Sequence, residues 1–169
     1  MGRKSEAKKY LDWVREFSKR ASVEQAVGLL RELVTKASCT LKSIGTSKEE
    51  LNELLLIGYK SEAKRWLIDA RENSMNADVS NAVRLVQWAA NKAHCTLTDI
   101  GTNDEELNKL LHEGYRSGAL MVFVILREGR NKEDIPNDVI RLRELLVKGG
   151  YTLADIGTSE EELEELSGR

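Results

Sequence analysis

One segment occurs three times. CTLKSIGTSKEEL begins at Cys39, CTLTDIGTNDEEL at Cys95 and YTLADIGTSEEEL at Tyr151, with 56 residues between successive starts. The register extends backward to SEAK at Ser5, SEAK at Ser61 and SGAL at Ser117. Residues 5–60 and 61–116 agree at 29 of 56 positions, and the three copies align without an insertion or deletion. Loops tolerate length changes cheaply. An unbroken register is therefore what an engineered or recent array carries. The chain reads as one domain of three repeats, 5–60, 61–116 and a shorter 117–169.

Each copy predicts three helices and a one-turn segment. Helix A, over residues 6–17 in the first copy, places Ala7, Tyr10, Leu11, Val14 and Phe17 at helical spacing. Ser5, Ser61 and Ser117 stand as its N-caps. Helix B is expected to start at Ser22, Asp78 and Asp134, with Pro136 in its first turn, where the missing N–H costs nothing. Its apolar face is Val23, Val27, Leu30, Leu33, Val34 and Ala37. A single turn over Thr40–Ile44 closes at Gly45, equivalent to Gly101 and Gly157. Helix C opens with the capping boxes Thr46/Glu49, Thr102/Glu105 and Thr158/Glu161. It is expected to end at Gly58 and Gly114, with Tyr59 and Tyr115 packing back in a Schellman stop, one long bent helix being the alternative. Pro136 is the only proline of the 169 residues, which suits helices and argues against a many-turned sandwich or barrel.

Three short helices cannot bury both faces alone, so the expected class is all-α, with the repeats stacked as a solenoid-like or a wrapped or threaded array. The strict period, explicit caps and Glu/Lys/Leu-rich surface resemble computationally designed helical tandem repeats, a resemblance of style over the whole chain. It implies a scaffold without catalysis. Mid-helix Asn and Ser, two histidines and two cysteines depart from that style.

The copies differ most in the third helix A. Ala119–Leu126 is apolar on every side, where the first copy has Lys8, Lys9 and Asp12 outward. A helix hydrophobic all round is expected to be buried all round, and a terminal repeat ought to be the more polar one. Leu120, Met121, Phe123, Val124 and Ile125 are thus candidates for a central core or, alternatively, for a protein-binding or homodimer interface. Trp13, replaced by Asp69 in the second copy, and Trp88, replaced by Glu32 and Glu144, are candidates for the same surface. Charge is graded along the chain: net +4 over residues 1–60, −2 over 61–116 and −4 over 117–169, read as solvated faces and helix-dipole pairing.

No phosphate loop, HExxH, CxxC or G-x-S-x-G is present. His94, Cys95, Asp99 and His112 are the one cluster worth weighing. Adjacent His94 and Cys95 point apart, and Cys95 matches the core position of Cys39, so no metal, cofactor or catalytic residue is expected. Nucleic acid is not expected either, because the helix-turn-helix-like segment would lead with glutamates toward phosphate. The longest apolar run is far short of the roughly 20 residues that span a bilayer. Two cysteines and no basic-then-apolar leader point to a soluble cytoplasmic protein. Arg15-Glu16, Arg71-Glu72 and Arg127-Glu128 recur at the end of helix A and are expected to bridge units or cap carbonyls.

Overall fold

A computed structural model describes residues 2–74, 79–129 and 133–168. The described residues are all-helical and contain no strand. The helices are α1 (Arg3–Phe17), α2 (Glu24–Lys36), α3 (Leu41–Ile44), α4 (Lys48–Glu72), α5 (Val79–Lys92), α6 (Asp104–Glu128), α7 (Ile135–Gly149) and α8 (Glu160–Ser167). Short 3-10 turns at Thr98–Ile100 and Ala154–Ile156 take the place that α3 holds nearer the start of the chain.

The chain forms two compact units: Met1–Leu67 with Leu85–Thr102, and Ile68–Arg84 with Asn103–Arg169. In the first, Leu11 and Val14 of α1, Val27 and Leu30 of α2, and Leu51 of α4 form a closed apolar core, each at most 2% exposed. In the second, Ala119, Val122, Phe123 and Leu126 of α6 pack with Ile135, Leu142 and Leu146 of α7 and with Leu163 and Leu166 of α8. The helix A and helix B faces expected in the first copy carry the first core, with Tyr10, Phe17 and Leu33 partly buried against it; the exception is Ala37, which is half-buried at the C-cap of α2 and outside that core.

The boundary between helices C and A is where expectation and structure part. No stop exists at Gly58 or Gly114; α4 and α6 each run through 25 residues without a break. A central glycine costs a helix only about 1 kcal/mol, and no proline interrupts either joint. Gly58 serves another end. A Cβ there would lie 2.9 Å from the Ala21 carbonyl oxygen and 3.1 Å from the Val23 nitrogen, so its missing side chain lets the loop before α2 lie against α4. Tyr59 is buried beside it, with Trp88 edge-on at 5.7 Å between ring centroids.

The serine caps are corrected for the same reason. Ser5, Ser61 and Ser117 lie inside helices, and α1 starts at Arg3 behind Gly2 with no side-chain cap. The single Ser61 hydroxyl proton is instead shared between the Ile57 carbonyl at 2.9 Å and the Ser18 carbonyl, at the end of α1, at 3.1 Å. At the start of helix B, α2 begins at Glu24 behind Val23 without a side-chain cap, although the Glu24 N–H reaches Ser22 Oγ at 3.5 Å. Asp134 precedes α7 without capping it, and Pro136 sits in its first turn as expected. Asp78 lies outside the described residues.

The Schellman stops occur at the end of helix B. Ser38, His94 and Gly150 take the left-handed conformation with φ of 47°, 51° and 69°. The next N–H bonds back five residues in each case: Cys39 to Val34, Cys95 to Ala90 and Tyr151 to Leu146, at 3.1, 3.1 and 2.9 Å. The same closure follows each short turn, with Gly45, Gly101 and Gly157 left-handed and the threonine N–H returning to Leu41, Leu97 and Leu153.

Candidate functional site

The segment singled out from sequence divides into two faces. Ala119, Val122, Phe123 and Leu126 are buried, none more than 5% exposed. Leu120, Met121 and Val124 are 37%, 63% and 48% exposed, and Ile125 is half-buried. The expectation of burial on every side is therefore corrected. The α7 and α8 side chains cover one face of α6, and residues at spacings of three and four leave Leu120, Met121 and Val124 together on the other.

These outward positions carry different chemistry in each copy. Their equivalents in α1 are Lys8, Lys9 and Asp12, all exposed; in α4 they are Lys64, Arg65 and Ile68, also exposed. The register thus points outward at all three places, and only the third is apolar throughout. The stripe is bordered by the exposed side chains of Arg116 and Glu128. Arg116 donates to the Asp155 carbonyl at 3.4 Å.

Trp13 and Trp88 belong to the first compact unit, and the α6 stripe belongs to the second. Trp13 lies between Tyr10 and Phe17 in a ladder along α1, stacked on Phe17 at 4.7 Å. Trp88 covers Tyr59, whose phenol is pushed well above its ordinary value by burial and by its hydrogen bond to Glu24. Each indole remains partly exposed.

The recurrent arginine holds a node within its own copy. Arg15 Nε donates to Glu50 Oε1 at 2.7 Å and Arg15 Nη2 to the Gly45 carbonyl at 2.8 Å, while Thr46 Oγ1 donates to Glu50 Oε2 at 2.8 Å. Arg71 grips Glu106 through two hydrogen bonds of 2.7 and 2.9 Å. Arg127 Nε reaches Glu162 at 2.8 Å, and Thr158 Oγ1 reaches the same carboxylate at 2.9 Å. Carbonyl capping by the arginine is thus present at Gly45, but the ion pairs close helix A onto helix C of the same copy rather than joining copies.

The N-caps of α4, α6 and α8 are set one residue later than expected, without the reciprocal carboxylate bond of a capping box among the bonds described. Ser47, Asn103 and Ser159 accept the N–H bonds of Glu50, Glu106 and Glu162 at 3.1, 2.8 and 3.3 Å. Thr46, Thr102 and Thr158 are buried. The arginine and threonine hydrogen bonds hold the Glu50 carboxyl below its usual range against the opposing effect of burial, and Glu162 is lowered by the corresponding pair. Sequence spacing located the arginine but not its partner, which lies 35 residues away.

The residues of the candidate metal cluster have local roles. His94 supplies the left-handed cap of α5. The Cys95 thiol donates to the Ala90 carbonyl at 3.6 Å and is raised chiefly by burial. Asp99 accepts from the Thr96 N–H and hydroxyl, both at 2.7 Å, which lower it. His112 is exposed on α6. Among the described residues no group of three or more His, Cys, Asp or Glu side chains is placed to hold a metal ion, and no helix is long and apolar enough to cross a membrane.

Comparison with known proteins finds no matching family, no matching curated protein and no matching solved structure.

Proposed function

We propose that this chain is a non-catalytic helical-repeat scaffold of three 56-residue units that presents an interaction surface on the outward face of α6. Leu120, Met121 and Val124 carry the reading: they are exposed where the equivalent residues are Lys8, Lys9 and Asp12. An apolar group at a position that packing leaves free gains nothing for the fold, and such patches mark interaction sites. The recurrent Schellman turns and Arg–Glu–Thr nodes support the tandem-array reading, and the unbroken register is what an engineered or recently duplicated array carries.

The triple substitution Leu120→Lys, Met121→Glu and Val124→Lys tests the surface. The expected result is an unchanged helical circular-dichroism spectrum, a Tm within a few degrees of the parent and reduced binding of an apolar fluorescent dye. Loss of the folded state would return the whole segment to the core and overturn the reading.

A further inference from the structure

We infer that the occupant of the α6 face is a second copy of this chain, docked antiparallel about a two-fold axis near residue 122. The inference rests on the reading of this face as an interaction surface. A two-fold contact is self-complementary: whatever faces residue j of the partner is faced by residue j in return.

The charges bordering the apolar stripe meet that condition in one direction only. Setting Leu120 against the second copy's Val124 places Met121 beside the axis. The same register puts Arg116 opposite the second copy's Glu128 and, by symmetry, Glu128 opposite the second copy's Arg116. A parallel arrangement would instead oppose Arg116 with Arg116 and Glu128 with Glu128. Charges at the border of an interface select orientation and partner in this way. Both groups are exposed, and Arg116 makes a long hydrogen bond to the Asp155 carbonyl and a screened attraction to the Asp155 carboxylate, which an exposed guanidinium can exchange for a partner carboxylate. Arg127, by contrast, is committed to Glu162. The apolar stripe is one helix wide, below the area of about 800 Å² per partner in a standard stable interface. The dimer is consequently one that dissociates on dilution.

Light scattering during gel filtration, from about 2 to about 200 µM loaded chain, tests the inference. The mass is expected to rise with concentration from 19.0 kDa toward twice that value. Met121→Asp should hold it at the monomer value. Arg116→Glu or Glu128→Arg alone should weaken association about ten-fold, and the double variant should restore it. A parent that stays at 19.0 kDa throughout overturns the dimer while leaving the surface reading to the triple substitution above. A dimer that survives Met121→Asp, or charge reversals that fail to rescue each other, overturns this interface and its antiparallel register. Circular dichroism of each variant separates lost association from lost fold.

Discussion

The stretch of α1 around Leu11 and the stretch of α6 around Phe123 stand 112 residues apart in the same sequence register, and only one face changes from polar to apolar between them. Inward, α1 offers Ala7, Leu11 and Val14, and α6 offers Ala119, Phe123 and Leu126; all six are buried. Outward, α1 carries two lysines and an aspartate, whereas α6 carries leucine, methionine and valine. Packing dictates the first set because its members meet other helices in a closed core. Nothing in the fold dictates the second, so the chemistry found there is where the two stretches can differ in what they meet outside the chain.

The largest effect should come from the shared inward face. Phe123→Ala and Leu11→Ala each empty a core position and should cost about 3–5 and 2–5 kcal/mol respectively. In chemical denaturation both midpoints should fall together. A near-neutral Phe123→Ala would break the equivalence of the two stretches.

Backbone positions should give smaller effects of opposite sign. Gly58→Ala must push its new methyl against the Ala21 carbonyl and should destabilise by about 1–3 kcal/mol. Gly28, in α2, has open space around it, so Gly28→Ala should stabilise by about 0.5–1 kcal/mol through helix propensity. His94→Gly should also stabilise, by a few tenths to about 1 kcal/mol, because the position is left-handed. Thermal melts of the three variants read the signs directly; a stabilising Gly58→Ala would remove the close-approach account.

The smallest effect belongs to the Arg–Glu nodes, which are partly exposed and worth about 1 kcal/mol or less each. Arg71→Met should lower Tm slightly, and Arg15→Met likewise. The sign with pH follows from Glu50, whose carboxyl is lowered in the folded state. Its contribution is complete above the ordinary glutamate value near 4.3 and disappears as pH falls through the lower folded value. The gap in Tm between parent and Arg15→Met should accordingly be flat from pH 7 to 5 and narrow below about pH 4. A gap that stays constant down to pH 3 would show that Arg15 acts through packing alone.

Much of the fold was legible in residue order because it depends on local chemistry. The inward stripes of α1 and α2, the turn closed by Gly45 and its equivalents, and Pro136 in the first turn of α7 follow from helical spacing and backbone preference. Gly58 and Ser61 misled because a glycine and a serine carry the same local signal whether they end a helix or serve a neighbour. Only the approach of the Ala21 carbonyl to one, and of the Ser18 carbonyl to the other, decides between these uses. Likewise, Thr46 and Ser47 are both good caps by type, and the register was settled by burial of the threonine.

By itself, the sequence determined that the chain is helical and which residue types can fill each core, because these are properties of neighbours a few positions apart; the recurrence of one segment at Cys39, Cys95 and Tyr151 is read directly from residue order. Tertiary structure alone decided that α4 and α6 run unbroken through Gly58 and Gly114, that Arg15 finds Glu50, and that the apolar segment of α6 keeps one face outside. Those outcomes depend on which surfaces meet across tens of residues of chain, and an all-apolar helix has no internal signal for the side its neighbours will leave uncovered.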